Sequence, residues 1–157
     1  MAIAVDRAAP ADIAVLAQLM QEAYLEASYT LDRHWAARTL AKLIANPALG
    51  TVWLLSRGGH AAGFAVLTLR FSMEYGGMDA FIDDLFVRPE HRRQGVATAA
   101  LTALFAECRR RRMLALHVEV GRDNLAANRL YRKFGLGRRP DRRQWLSIDL
   151  GGDKGIG

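Results

Sequence analysis

The stretch 81–104 constrains this chain most, because it joins a strand, a basic turn and a helix. Residues 81–87 form a run of strand length that is rich in β-branched and aromatic residues. Residues 88–95 contain several arginines and end in Gly95, and from Val96 onward apolar residues recur at helical spacing. The free N–H groups of a first helical turn, the positive end of the helix dipole and the arginines converge on one point. We therefore predict an anion-binding loop at Gly95, which has no Cβ to hinder the approach of the main chain.

Length and charge narrow the possible classes of protein. With 157 residues, the chain is expected to form one domain over residues 1–150, followed by a disordered glycine-rich tail over 151–157. The net charge of +6 suits a polyanion, either a nucleic acid or a cofactor that carries phosphates, and the charge alone does not choose between them. No apolar run approaches the roughly 20 residues of a membrane span. The N-terminus does not resemble a signal peptide, and the single Cys108 excludes an internal disulfide. These features predict a cytoplasmic protein that does not bind membranes.

The order of the predicted elements indicates the fold class. A strand and two helices are followed by three strands, a helix, a strand, a helix and a last strand. Hairpin strands followed by one βαβ crossover give a mixed, mostly antiparallel sheet with helices on its faces, which is an α/β or α+β sandwich. The last two strands are expected at 114–120 and 144–150.

The stretch 124–134 is the second informative one and is predicted to form a helix. Asn124, Asn128 and Tyr131 lie at positions i, i+4 and i+7, so they share one face. Polar residues in a line that ends in a tyrosine indicate a site. A surface helix capped by Asn124 explains them equally well.

These two stretches resemble the two signatures of the GNAT superfamily of N-acetyltransferases. The turn Arg92-x-x-Gly95-x-Ala97 is similar to the acyl-coenzyme-A loop of that family, and the run from Asn124 to Gly135 is similar to its second motif. The resemblance implies the GNAT-like acyl-CoA N-acyltransferase fold, in which two central strands splay apart. It also implies acetyl-CoA as the cosubstrate, with no metal. Because family members are often dimers, we expect a homodimer.

The resemblance implies contacts to acetyl-CoA at the matching positions. Pantetheine would pair with the main chain of the central strand, the pyrophosphate would lie in the basic turn, and the polar helix would contact the pantetheine end. The implied cofactor-binding residues are Leu85, Phe86, Val87, Arg92, Arg93, Gln94, Gly95, Val96, Ala97, Thr98, Asn124 and Asn128. Arg93 stands where the family often has glycine, and arginine is costly there if the turn needs a positive φ.

Acetyl transfer to an amine requires a neutral amine, stabilisation of an oxyanion and a proton for the leaving thiolate. A main-chain N–H of the central strand can stabilise the oxyanion, and the resemblance makes Tyr131 the proton donor. A carboxylate must take the proton of the amine. Asp83 and Asp84 are adjacent, so in a regular strand they point to opposite faces. By analogy with polyamine acetyltransferases we favour Asp83 as this carboxylate and give Asp84 a structural role, although the opposite assignment stays open.

The acceptor is expected to be the amine of a small cationic molecule or of a peptide. The residues that could line its pocket are Glu74, Tyr75, His117 and Glu119. A solvated or packed pair explains His117 and Glu119 equally well, and Glu74 and Tyr75 lie in a polar loop of the kind that is usually just solvated. Two other functions stay open. Arginine clusters at 109–112 and 138–143 suggest nucleic-acid binding, which we consider unlikely because no known motif accompanies them. Alternatively, a GNAT fold could bind acyl-CoA without catalysis.

Overall fold

The computed structural model describes residues 1–156, which form five strands and four α-helices. The single residue beyond them, Gly157, belongs to the predicted tail and lies outside the described residues. Short 3-10 turns precede the first and third helices. The elements are β1 (Ile3–Arg7), α1 (Ile13–Glu26), α2 (Arg33–Ile44), β2 (Gly50–Arg57), β3 (His60–Ser72), β4 (Gly77–Val87), α3 (Val96–Arg110), β5 (Leu116–Val118) and α4 (Leu125–Lys133).

The sheet has the strand order β1-β2-β3-β4-β5. The first four strands pair antiparallel as successive neighbours, and β5 pairs parallel to β4. This last pairing covers only Ala80 to Ile82 of β4. Beyond Ile82 the two strands diverge, so one edge of β4 is open from Asp83 to Val87. The mixed, mostly antiparallel sheet with splayed central strands confirms the predicted fold class.

Each face of the sheet carries its own hydrophobic core. On one face, α1 and α2 pack against Val52, Phe64, Val66 and Phe86, and we call this the α1 face. On the other face, α3 and α4 pack against side chains that include Leu67, Ala80, Ile82 and Val87, and we call this the α3 face. Apolar residues therefore alternate between two covered faces, as expected of a sheet between helical layers.

The C-terminal third contains two corrections to the predicted strands. The strand expected at 114–120 is limited to Leu116–Val118, and the last strand expected at 144–150 does not form. Strand propensity at 144–150 is real, but a strand needs a neighbour to pair with. In this structure the segment lies against no other strand.

The last residues of the chain contact the start of α2. The Trp35 Nε1–H donates to the Asp153 carbonyl oxygen at 2.6 Å, and the Asp32 N–H donates to the Gly155 carbonyl oxygen at 2.7 Å. Leu31 and Ile156 form an isolated antiparallel bridge. Residues 153–156 of the expected tail are therefore held by main-chain and side-chain hydrogen bonds.

None of the helices within residues 1–156 is long and apolar enough to cross a bilayer.

Two leucines, one buried and one exposed, test how much the core stabilises the fold. Leu101 of α3 is fully buried, whereas Leu25 of α1 is 69% exposed. We expect Leu101→Ala to lower the free energy of unfolding by about 2–5 kcal/mol, because it leaves a cavity in the core. Leu25→Ala should change it by less than about 0.5 kcal/mol. Urea denaturation of both variants measures the difference, and similar losses would contradict this account of the core.

Candidate active site

The turn before α3 presents main-chain amides to solvent. Gly95 has φ +88° and caps the helix, and the first helical hydrogen bond runs from Ala99 N–H to the Gly95 carbonyl at 3.0 Å. The amides of Val96, Ala97 and Thr98 therefore have no partner within the helix. Together with the positive end of the helix dipole, they form a site suited to a phosphate group.

The sequence predicts that the arginines of this turn contact the phosphates of the cofactor, but in the structure Arg92 is engaged within the chain. Arg92 donates from Nε to the Val87 carbonyl oxygen at 2.8 Å and from Nη2 to both carboxylate oxygens of Glu26 at 2.7 Å. Its guanidinium thus ties the turn to α1. Arg93 adopts φ +58°, so the position does need a positive φ, and the arginine costs about 1–2 kcal/mol there. Main-chain amides, more than the Arg92 side chain, are therefore the groups of this turn that suit an anion.

The asparagines of α4 are used partly for local structure. Asn124 is the N-cap, and its side chain accepts from Ala127 N–H at 3.2 Å. Asn128 Nδ2 donates to the carbonyl oxygens of Gly121 at 3.0 Å and Asn124 at 2.8 Å. These bonds fix the loop before α4 and leave the side-chain oxygen of Asn128 available. The cap explanation of Asn124 therefore holds locally, and contact of these side chains with a cofactor remains a prediction.

Tyr131 lies in the core of the α3 face. Only 8% of its surface is exposed, and burial raises the pKa of its phenol. Among residues 1–156 no side chain or main-chain group is hydrogen-bonded to its hydroxyl. The phenol is thus held neutral and protonated at physiological pH, with its donor uncommitted.

A β-bulge in β4 places both aspartates on one face. Val66 of β3 pairs with Asp84 and Leu67 pairs with Ile82, so Asp83 is the extra residue. Ile82 and Val87 lie in the α3-face core, and Phe86 lies in the α1-face core. Side chains alternate between the two faces along a strand. Counting forward from Ile82 therefore places Asp83 on the α1 face, and counting back from Phe86 places Asp84 there too. The expectation that adjacent aspartates point to opposite faces is therefore wrong here, because the bulge interrupts the alternation.

The two carboxylates are partly desolvated, with Asp83 exposed at the surface and Asp84 half-buried. Burial raises the pKa of Asp83, and burial together with the charge of Asp83 raises the pKa of Asp84 to about 7. Tyr24 of α1 lies beside them, since burial and then the charges of Asp84 and Asp83 raise the pKa of its phenol to about 12. Within the described part of the chain neither carboxylate has a hydrogen-bond or ion-pair partner. Such a pair can take up a proton near neutral pH.

A third carboxylate on the α1 face, that of Asp79, is fully satisfied. Asp79 has no exposed surface and accepts from Arg70 Nε at 3.1 Å and Nη2 at 2.7 Å. Its Oδ2 also lies 2.9 Å from His117 Nε2. Burial alone would raise the pKa of Asp79, but the bonds from Arg70 and His117 outweigh it and the pKa is lowered. The His117 ring lies 4.9 Å from the Phe81 ring and 6.0 Å from that of Tyr75.

The other residues expected at the acceptor pocket are only partly brought together. His117 and Tyr75 are neighbours, as the ring distance shows. Glu74 is bound by Arg139 Nη2 at 2.9 and 3.0 Å, so it is already paired. Glu119 is exposed and follows the end of β5. The structure therefore brings His117 and Tyr75 together, while a contact of Glu119 with the acceptor stays a prediction.

Sequence reasoning missed three residues of this region, Arg70, Asp79 and Tyr24. Asp79 lies four residues before Asp83 in the same strand, and Arg70 is its partner across the β3–β4 pair. The pairing of these two residues could be predicted once the register of the β3–β4 hairpin was known. Tyr24 falls on the apolar face that helical spacing predicts for α1, so the sequence does not indicate that it lies beside two carboxylates.

The comparisons with known proteins agree on the family. Residues 13–136 match the model of the acetyltransferase (GNAT) family, so the chain belongs to the GNAT acetyltransferases. Acetyl transfer is the activity of that class. No curated protein matches the chain.

Solved structures share the fold over nearly the whole chain. An integron cassette protein from the mobile metagenome of Cole Harbour Salt Marsh is 38% identical, with 95% of this chain and 91% of that chain covered and a TM-score of 0.84. A putative acetyltransferase from Arthrobacter sp. FB24 is 27% identical, with coverages of 96% and 95% and a TM-score of 0.77. A predicted acetyltransferase from Clostridium acetobutylicum, solved with acetyl-CoA, is 17% identical, with coverages of 95% and 97% and a TM-score of 0.76.

The coupled aspartates can be tested without any assay of activity. We expect Asp84 to titrate near pH 7. Asp83→Asn should lower the pKa of Asp84, because it removes the repulsion of a second negative charge while burial remains. Carboxyl carbon chemical shifts in isotopically labelled protein, followed by NMR as a function of pH, measure this.

The control for this titration is Asp6→Asn, in the exposed strand β1 at the other edge of the sheet. It should leave the titration curve of Asp84 unchanged. An Asp84 carboxyl that titrates near its ordinary value in the parent protein would contradict the burial of this pair.

Proposed function

We propose that this protein transfers an acetyl group from acetyl-CoA to a primary amine of a small cationic molecule or peptide, by direct transfer in a ternary complex. The observation that carries the proposal is the position of Asp83 and Asp84 at the gap between β4 and β5. The gap joins the α3 face, where Tyr131 lies, to the α1 face, where both carboxylates lie. A thioester in this gap would have a phenol on one side and a proton acceptor on the other.

The residues present fit acetyl-CoA. The amides of Val96 to Thr98 suit its diphosphate, and the open edge of β4 from Asp83 to Val87 offers main-chain partners to its pantetheine amides. Leu85, Phe86 and Val87 pair with β3 on their other edge, and the Val87 carbonyl oxygen also accepts from Arg92 Nε. The acetyl-CoA complex of the Clostridium acetobutylicum protein supports this choice of cosubstrate. When bound, acetyl-CoA supplies the activated acetyl group.

The chain supplies the proton transfers. Tyr131, protonated and without a hydrogen-bond partner, gives its proton to the departing sulfur. Its raised pKa lies above that of an ordinary thiol, so the donation needs the sulfur to develop charge first. The Asp83–Asp84 pair takes the proton of the attacking amine, with the more exposed Asp83 toward the acceptor. A pKa near 7 suits a group that must accept and release a proton in each cycle.

The charges around the site support a cationic acceptor. Two carboxylates without ion-pair partners attract an ammonium group, and this attraction is strengthened because burial has removed much of their hydration. His117, Phe81 and Tyr75 form an aromatic wall beside the pair. We propose that this wall contacts the body of the acceptor, whose amine lies at Asp83.

The contacts of the arginine clusters argue against nucleic-acid binding. Glu107 is buried and paired with Arg7, Arg110 and Arg111. At the C-terminal cluster, Arg139 and Arg143 pair with Glu74 and Asp141. Much of the positive charge is therefore paired with carboxylates of the same chain, and the remaining net positive charge suits a phosphate-bearing cosubstrate.

The direct test is release of free thiol from acetyl-CoA over a panel of amines, followed by mass spectrometry of the products. Polyamines, aminoglycosides, amino acids and peptides should be included, with neutral amines of similar size for comparison. Acetylated product from cationic amines supports the proposal. Binding of acetyl-CoA with no turnover on any amine would favour a non-catalytic function.

Substitution of Gly95 tests the diphosphate site. We expect Gly95→Val to weaken acetyl-CoA binding at least about tenfold, because valine strains a backbone with φ +88° and brings a branched side chain to the amides. Gly59→Val is the matched control, since Gly59 has φ +80° and open space around it in the β2–β3 turn. Calorimetric titration should show near-parent affinity for this control. Equal affinities of the two variants would refute the site.

Substitution of Tyr131 tests the proton donor. We expect Tyr131→Phe to lower kcat by about 100-fold or more, because it removes the donor and keeps the ring in the core. Affinity for acetyl-CoA and thermal stability should stay close to those of the parent, and they serve as internal controls. A variant that turns over at the parent rate would exclude Tyr131 from this role.

A further inference from the structure

Three polar side chains on the α1 face form a hydrogen-bonded network that the proposed proton transfers do not use. Asp79 has no exposed surface, and it accepts from Arg70 Nε at 3.1 Å and from Arg70 Nη2 at 2.7 Å. Its Oδ2 also lies 2.9 Å from His117 Nε2. We call Arg70, Asp79 and His117 the Asp79 network. A buried carboxylate that is fully hydrogen-bonded fixes the positions of the groups around it.

The Asp79 network determines which ring nitrogen of His117 carries the proton. Burial raises the pKa of Asp79, but the bonds from Arg70 and His117 outweigh it, so the carboxyl is ionised and can only accept. The contact at 2.9 Å therefore requires a hydrogen on His117 Nε2. In a neutral imidazole the other nitrogen, Nδ1, then carries a lone pair. Arg70 already balances the charge of Asp79, so the network does not need a second cation at His117.

The Nδ1 atom of His117 is uncommitted and can be reached from solvent. Within residues 1–156 no group is hydrogen-bonded to it, and it is not one of their buried unpaired atoms. The His117 ring centre lies 4.9 Å from that of Phe81, and the Arg70 guanidinium lies 4.8 Å from the same Phe81 ring. These contacts hold the imidazole in place on the face that also carries Asp83.

We propose that the Asp79 network holds His117 as the Nε2–H tautomer, so that Nδ1 accepts a hydrogen bond from a neutral donor group of the acceptor molecule. The donor is a hydroxyl or an amide N–H. This inference rests on the proposed function, because it concerns the end of the acceptor that is remote from the reacting amine. Arg70 and Asp79 are positioning residues, since they act through His117.

The charges near His117 favour a neutral donor over a second ammonium group. The charge of Asp79 is balanced by Arg70, and that of Glu74 by Arg139, which binds it at 2.9 and 3.0 Å. Asp83, in contrast, has no such cation. An ammonium group at His117 would lose hydration without gaining an opposite charge, whereas a hydroxyl or amide group loses less.

The strand geometry sets the distance between the two ends of the acceptor. His117 pairs with Phe81, and Asp83 follows two residues further along β4. Neighbouring strands lie about 4.8 Å apart and each residue rises about 3.3 Å, so His117 and Asp83 are separated by roughly 8 Å. Aminopentanol carries an amine and a hydroxyl at the two ends of a pentyl chain, and it suits this separation.

Three amines of equal length test the donor, because only their far ends differ. Aminopentanol ends in a hydroxyl, hexylamine in a methyl and diaminopentane in an ammonium group. We expect the parent to acetylate aminopentanol with a kcat/KM at least about tenfold above the other two, mainly through KM, since a site that hydrogen-bonds a hydroxyl rejects analogues without it. His117→Leu should abolish this preference and leave kcat with hexylamine within about twofold of the parent. His60→Leu, at an exposed histidine that begins β3, is the matched control and should keep the preference.

The tautomer can be tested without any turnover. Long-range proton–nitrogen NMR spectra of labelled protein show which nitrogen of His117 carries the proton, and we expect Nε2. With saturating coenzyme A, aminopentanol should shift the Nδ1 resonance and hexylamine should not. Asp79→Asn replaces an accepting oxygen with an amide donor, so it should raise the share of the Nδ1–H tautomer and reduce the preference for the hydroxyl. If this buried substitution prevents folding, the spectra of the parent and the kinetics of His117→Leu decide.

Several results would overturn the proposal. They are a proton on Nδ1 of His117 in the parent, an Nδ1 resonance that does not respond to aminopentanol, a preference for diaminopentane, and a hydroxyl preference that survives His117→Leu. Absence of acetylated product from every amine would count against the proposed function instead. The NMR spectra would still decide this inference, so the two failures are distinguishable.

Discussion

The bulge at Asp83 is the constraint on which the rest of the site depends. One extra residue in β4 turns two adjacent aspartates to the same face and marks the point where β5 separates from β4. A regular strand would bury one of these carboxylates against the core of α3 and α4, without a partner and at high cost. The bulge avoids that cost, and it leaves one edge of β4 open toward a gap between two covered faces. Both the open edge of β4 and the charges beside it thus follow from a single irregularity.

The carboxylates of this protein fall into two groups. Asp79 and Glu107 are satisfied by arginine and histidine donors, and their pKa values are lowered despite burial. Asp83 and Asp84 have no such donors, and their pKa values are raised. A carboxylate that holds a structure together needs its partners, whereas one that exchanges protons must keep its lone pairs free. The contrast distinguishes the structural acids of this fold from the pair that we assign to proton transfer.

Much of the fold could be predicted from local sequence. The run of apolar residues after Gly95 produces α3, and the glycine supplies the positive φ that the turn requires, so the turn and its free amides were readable from residues 88–98. The failures occurred where a partner decides the outcome. Residues 144–150 have the pattern of a strand and form none, because they do not pair with a neighbouring strand. Arg92 carries the charge expected for a phosphate contact, but Glu26, distant in sequence, takes its guanidinium.

The sequence by itself determined most of the elements, the glycine turn before α3, the line of Asn124, Asn128 and Tyr131, and the family to which these motifs belong. Those features are encoded within a few turns or strand lengths, where spacing alone sets which side chains share a face. The tertiary structure decided which face Asp83 and Asp84 occupy, which carboxylates are paired, and which apolar residues remain exposed. These outcomes depend on the register between strands and on contacts between residues far apart in the chain. A shift of one residue in strand pairing moves every side chain to the opposite face of the sheet, and the local sequence pattern does not determine which register forms.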